Sequence, residues 1–169
     1  VAGRGNGTPV ASSGNGSFFP IYPLAPGPNV ITGTATDAAT NTTIVQRTVT
    51  QDQTPPVLTL TAPANAVSNA TVATVSGTAT DASALTVNVN GTPVTVGANG
   101  AFSYSYTLAA GANLITVTAT DAATNATIVQ RTVTQDLTPP TLTLTSPTSG
   151  ADSNAATITV PGTASDAGT

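Results

Sequence analysis

An all-β chain of tandem two-sheet sandwiches is what the sequence predicts, and three observations carry that prediction. The composition favours strands, segments alternate apolar and polar residues between turn signals, and the chain repeats itself. Val and Thr are abundant, while Glu, Lys and Met, which favour helices, are absent. With 39% hydrophobic and only 6% charged residues, the chain lacks the low-hydrophobicity, high-charge signature of disorder. Its 169 residues are enough for one domain or two small ones.

The repeat has a period of 84 residues. Thr34-Ala-Thr-Asp-Ala-Ala-Thr-Asn41 returns as 118–125, Ile44-Val-Gln-Arg-Thr-Val-Thr-Gln-Asp52 as 128–136, and Thr54-Pro-Pro56 as 138–140. Such near-identity marks an array of domain-sized units. One copy, 53–136, is complete. Residues 1–52 read as the C-terminal part of a copy (strands C to G), and 137–169 as the N-terminal part of another (strands A and B).

Seven strands are expected in the complete copy. They are A at Val57–Thr61, B at Thr71–Thr80, C at Leu85–Asn90, a short strand at Pro93–Val96, E at Ala101–Leu108, F at Asn113–Thr120 and G at Thr127–Thr134. Asn90-Gly91 is a two-residue hairpin signal, because both central positions of a type I′ turn require positive φ. Asn99-Gly100 and Ala110-Gly111 mark the next two reversals. On E, Phe102, Tyr104, Tyr106 and Leu108 share one face; Ile115, Val117 and Ala119 extend it on F, and Leu58 and Leu60 on A. Strand B reads Val72, then Val75, Gly77 and Ala79, a parity change that predicts a bulge there. On G, Arg131 shares the parity of Val129 and Val133, so the inward face of that strand is ambiguous.

These strands carry a resemblance. Pro55-Pro-Val-Leu-Thr-Leu60, Val75-Ser-Gly-Thr-Ala-Thr-Asp81, Val89-Asn-Gly-Thr92, Gly111-Ala-Asn-Leu-Ile-Thr-Val-Thr-Ala-Thr-Asp121 and Val133-Thr-Gln-Asp136 resemble bacterial immunoglobulin-like (Big-type) tandem repeats. That family occurs in large surface adhesins and as accessory modules of some secreted glycoside hydrolases. Its usual Ala-Gly-Asn after the Asp is here Ala-Thr-Asn. The resemblance implies immunoglobulin-like sandwiches of about seven strands, one complete and two partial, and an extracellular or cell-surface location. It specifies the fold more than the function.

By repeat position Val1 matches Leu85 and Thr169 matches Ala84, allowing one insertion near Ser149-Gly150. The expectation is therefore that the split sandwich is completed by an adjacent copy, head to tail. Either one long polypeptide or separate strand-exchanging subunits would do this.

All seven acidic residues are Asp, and six fall at the expected junctions. Asp52, Asp81 and Asp121 with Asn125 are expected at one junction; Asp136 and Asp166, with Asp37 and Asn41 of the next copy, at the other. An all-oxygen set of this kind suits calcium, and the resemblance implies calcium at such linkers. Each Asp also has a plainer reading as the residue that closes its own turn.

Other chemistry is largely excluded. Without His, Cys or Lys there is no imidazole base, thiol nucleophile, Schiff-base amine or His/Cys metal site. Paired catalytic carboxylates need an apolar cleft, and these Asp residues fall in loops, so the chain is not expected to be an enzyme. A net charge of −4 offers nothing to neutralise a row of phosphates, and no apolar run approaches the roughly 20 residues of a membrane span. The Phe18-Phe-Pro-Ile-Tyr-Pro23 segment departs from the strand E pattern; Phe18, Phe19 and Tyr22 are the expected lateral contacts between fibres. The function expected is a structural repeat of an extracellular filament or adhesin stalk, with a carbohydrate-binding or spacer module of a secreted glycoside hydrolase as the alternative.

Overall fold

The computed structural model describes residues 2–10, 16–18 and 20–166, and within them every regular element is a strand. Among the described residues no helix is long and apolar enough to cross a membrane. The chain divides into two compact units, Val1–Pro55 with Ala123–Asn125, and Pro56–Ala122 with Ala126–Thr169.

The first unit contains β1 (Ala2–Gly5), β2 (Thr8–Val10), β3 (Gly27–Thr36) and β4 (Thr42–Gln51), in an antiparallel sheet of order β2-β1-β3-β4. The β1–β2 turn is Asn6-Gly7, with φ of 45° and 81°, the backbone that a type I′ turn demands. No strand E equivalent forms over the described part of 16–26. Pro20, Pro23 and Pro26 supply no N–H to a ladder there. Phe18 and Tyr22 are exposed, and Phe19 lies outside the described residues.

The second unit holds the complete repeat. Its strands are β5 (Val57–Ala62), β6 (Ala66–Ser68), β7 (Val72–Thr80), β8 (Leu85–Val89), β9 (Thr92–Val94), β10 (Ala101–Thr107), β11 (Gly111–Asp121) and β12 (Ala126–Gln135). They build two sheets, β10-β7-β5 and β6-β12-β11-β8-β9. The chain continues into β13 (Thr141–Leu144) and β14 (Gly162–Ser165), an antiparallel pair.

Alternation along each strand sends one set of side chains between the two sheets. Leu58 of β5, Val75 and Ala79 of β7, and Phe102 of β10 meet Val87 and Val89 of β8, Ile115, Val117 and Ala119 of β11, and Val133 of β12 in one buried cluster. Tyr104 and Tyr106 are half-buried against it. The parity read from the sequence for E, F and A is the parity observed. On β12, Val129 and Arg131 are half-buried and Val133 is buried, so Arg131 does share the inward parity.

Two details differ from the sequence reading. The bulge lies on β5, where the register slips between Leu60 and Ala62, and not on β7. Inward parity on β7 runs unbroken through Ala73, Val75, Gly77 and Ala79; Val72 simply points out. At the slip, Thr61 donates its hydroxyl to the carbonyl of Ser76 (3.1 Å). The bulge also explains Gly77, since a Cβ there would run into the Thr59 carbonyl oxygen and approach Leu60 Cα and Phe102 Cζ at 3.1 Å. The second detail is β6, absent from the expected strands, which pairs parallel to β12 through Ala66, Val67 and Ser68.

Asparagine side chains tie the turns down. Asn113 is buried; its Oδ1 accepts the Ala109 N–H (2.8 Å) while its Nδ2 donates to the carbonyls of Ala109, Gly111 and Val133. Asn29 repeats the first three of these bonds in the first unit. Asn90, at φ 45° in the β8–β9 turn, accepts the Thr116 N–H (2.7 Å) and donates to Leu114 O.

Gly77→Ala is expected to destabilise the complete repeat by about 1–3 kcal/mol, the usual cost of overpacking. The same type of replacement at Gly33 adds a Cβ whose nearest contact is Val45 O at 3.8 Å. It is expected to change stability by less than about 0.5 kcal/mol. Denaturant midpoints of the two variants check the contrast.

Candidate functional site

The features that could carry chemistry are the Asp-bearing turns, the aromatic rings and the concave surfaces. In the first unit Asp37 opens the β3–β4 turn. Its Oδ1 accepts the N–H groups of Ala39 and Asn41 (both 2.9 Å), and its Oδ2 accepts Asn41 Nδ2 (2.8 Å). Thr40 takes φ 70° to close that loop, and Thr124 takes φ 72° at the same place in the next repeat. Side-chain donation from Asn41, followed by its backbone N–H, holds the Asp37 carboxyl below the ordinary carboxylate range. Asp52 accepts the Thr54 N–H (3.0 Å), and Asn125 Nδ2 donates to the Asp52 carbonyl (3.1 Å).

In the second unit Asp81 follows β7 and Asp121 ends β11, and these two carboxylates bring oxygens within 4.8 Å of one another. Asp121 is buried and Asp81 half-buried. Asp81 Oδ1 accepts both the backbone N–H and the hydroxyl of Ser83 (2.8 Å each), and these donors, the backbone one first, hold its carboxyl below the ordinary range. Asp136 accepts the Thr138 N–H (2.8 Å), and Asp166 is exposed beyond β14. Four carboxylates, those of Asp37, Asp52, Asp81 and Asp136, thus form Asx turns, in which the side chain captures N–H groups just ahead in the chain.

The rings are placed unevenly. Phe102, Tyr104 and Tyr106 lie on the core side of β10, whereas Phe18 is 54% and Tyr22 41% exposed. Both exposed rings flank apolar hollows of the first unit. One, of about 660 Å³, is lined by Gly5, Val10, Pro20, Tyr22 and Ile31; the other, of about 410 Å³, by Gly3, Phe18, Gly33 and Val45. On the complete repeat a shallow depression of about 340 Å³ lies beside Asp81, between the ends of β7 and β8 and the Gly97–Gly100 turn.

Sequence reasoning found the Asp turns because Asp-Ala-Ala-Thr-Asn is a visible motif. It missed the anchoring roles of Asn113 and Asn90, whose signal is their recurrence as Asn29 and Asn6 one period earlier.

This architecture has counterparts among known proteins. Residues 56–137 match the family described as Glucodextranase, domain B. The solved fibronectin(III)-like modules of CbhA from Clostridium thermocellum superpose with a TM-score of 0.52 at 19% identity, over 79% of this chain and 76% of that one. A chimeric titin Z1Z2-Z1Z2 tandem aligns at 13% identity over 80% of this chain and 83% of that one, with a TM-score of 0.36. No curated protein sequence matches the chain. The complete repeat is an immunoglobulin-like β-sandwich module.

The depressed carboxyls of Asp37 and Asp81 set a direction for acid stability. Their ionised forms are favoured in the folded state, so their contribution is complete above about pH 4 and is lost as pH falls through the lowered folded value. Asp81→Asn is expected to flatten the acid limb of the stability profile without changing the neutral-pH fold. Melting temperature against pH for wild type and variant checks this.

Proposed function

We propose that the chain is a non-catalytic, extracellular structural module, a repeat of a stalk or filament whose units follow one another head to tail. The observation that carries this reading is the contrast between its repeats. The complete copy turns its aromatic rings toward its own core, and its turn carboxylates serve their own loops. The flanking copies, by contrast, leave apolar faces uncovered: Val45 and Val49 on β4, and Leu142 and Leu144 on β13, are all more than 40% exposed. A module that spends its polar groups on its own turns and repeats at a fixed interval serves length and stiffness. Thr-Pro-Pro at 54–56 and 138–140 restricts the backbone at each junction. Completion of the open faces by strands of the adjacent copy belongs to the same reading.

An accessory module of a secreted glycoside hydrolase is the second reading. It is favoured by the match of 56–137 to a glucodextranase domain and by the likeness to modules of CbhA. Both similarities also favour an extracellular location. Under this reading the exposed Phe18 and Tyr22 are the rings available for stacking on sugar.

Calcium is proposed at the Asp81–Asp121 pair, two carboxylates within 4.8 Å of one another. Affinity electrophoresis of the full chain in soluble α- and β-glucans separates the two functions. Unretarded migration is expected for a structural spacer, whereas retardation abolished by Tyr22→Ala would establish the accessory module instead. Melting the same samples in calcium and in chelator tests the cation: a higher Tm in calcium supports it, and coincident curves assign both carboxylates to the turns alone.

A further inference from the structure

We infer that Asn69 is an acceptor for an N-linked glycan, because its turn leaves the attacking nitrogen uncommitted where comparable turns do not. This rests on the extracellular reading above for the chain's encounter with a transferase, and on the turn itself for everything else.

Six Asn-x-Ser/Thr triplets occur, at Asn6, Asn15, Asn41, Asn69, Asn90 and Asn125. Such a triplet serves as an acceptor in a folded chain only where its carboxamide can be reached, since the side-chain nitrogen is the nucleophile. Asn15 lies outside the described residues. Four of the others are turn anchors. Asn6 and Asn90 stand one period apart, each at φ 45° in its Asn-Gly hairpin turn, and Asn41 and Asn125 stand one period apart after β3 and β11. In each the nitrogen already donates. Asn6 Nδ2 reaches Val30 O (3.4 Å), Asn41 Nδ2 reaches Asp37 Oδ2 (2.8 Å) and Asn125 Nδ2 reaches Asp52 O (3.1 Å). Asn90 Nδ2 reaches both Leu114 O (3.1 Å) and Tyr106 Oη (3.2 Å). Asn6 and Asn90 are held a second time, each accepting a backbone N–H through Oδ1 (2.6 and 2.7 Å).

Asn69-Ala-Thr71 is built differently. It forms the whole connection between β6 and β7, and all three residues are exposed. Its backbone is fastened by groups outside the triplet. Ser68 Oγ accepts the Ala70 N–H (3.1 Å), Gln135 Nε2 donates to Ala70 O (2.9 Å) and Leu108 N–H donates to Thr71 O (2.9 Å). None of these bonds uses the Asn69 carboxamide or the Thr71 hydroxyl, and no other hydrogen bond among the described residues engages them. Both groups that a transferase reads therefore stand in solvent on a backbone held from elsewhere. The same turn recurs at 153–156 without the acceptor chemistry: Ser153 Oγ accepts the Ala155 N–H (3.1 Å), but Ala156 stands where the triplet needs a hydroxyl.

The donor is an oligosaccharide carried on a polyprenyl diphosphate. Asn69 Nδ2 attacks the anomeric carbon; the C1–N bond forms and the C1–O bond breaks. The electron pair leaves with the polyprenyl diphosphate, and the amide proton passes to a base of the transferase. A glycan there stands at the end of β6, the outermost strand of the order β6-β12-β11-β8-β9, and its bulk blocks strand addition at that edge.

Unmodified full chain is incubated with a single-subunit oligosaccharyltransferase that requires only Asn-x-Ser/Thr and with its polyprenyl-diphosphate oligosaccharide. Intact mass and peptide mapping read the occupancy of each site. Among the five described triplets the glycan is expected on Asn69, with occupancy of the other four lower by about tenfold or more, because each of those nitrogens must first give up its bond. Asn69→Gln and Thr71→Ala should each remove it, whereas Thr71→Ser should keep it. Short peptides spanning the five triplets should be modified to similar extents, which ties the selectivity to the fold. No glycan on Asn69, or equal occupancy of all five in the folded chain, overturns the proposal. Because the transferase is supplied, that result would leave the extracellular reading standing.

Discussion

Mutual burial of two sheet faces is the constraint from which the rest of this structure follows. A sheet with one apolar face is stable only when a second layer covers it. In the complete repeat that layer is β5, β7 and β10, and Ile115 and Val117 are sealed from solvent beneath it. In the first unit Val45 and Val49 of β4 are exposed, whereas their counterparts on β12, Val129 and Val133, are half-buried and buried. Ile44 to Gln51 is identical to Ile128 to Gln135, so the difference in burial comes from what packs on the strands and not from the strands themselves.

The low charge of the chain fits this economy. Polar side chains act at the ends of strands, where Asp37, Asp81 and Asp136 capture backbone N–H groups, and Asn113 fixes the β10–β11 turn from inside. Loops closed in this way have their backbone held by their own side chains. No described buried side-chain polar atom lacks a hydrogen-bond partner.

How much of this was legible in the sequence varied with range. Alternation on β10 and β11 located the core face, because a period of two leaves no freedom once one side is apolar. The Asn90-Gly91 turn was legible because its backbone demands those residues. The bulge was not. Val72 looked like a parity break on β7, whereas the slip sits opposite, at Thr61, and only the close approach at Gly77 reveals it. β6 was invisible because three residues paired in parallel carry no period of their own. The Asp positions were found, but their use was a matter of distance: Asp81 and Asp121 are 40 residues apart and meet only because β7 and β11 end at the same pole of the sandwich.

Native-state hydrogen exchange on the dilute full chain tests the central claim most directly, because it compares two copies of one strand pair, identical over 44–51 and 128–135, that differ in what packs on them. The account predicts that amides of β11 and β12 exchange only with global unfolding of the complete repeat. Amides of β3 and β4 should exchange faster by about a hundredfold or more, since only local opening limits them. Equal protection in the two pairs would contradict it, because the covering layer would then not be what stabilises them.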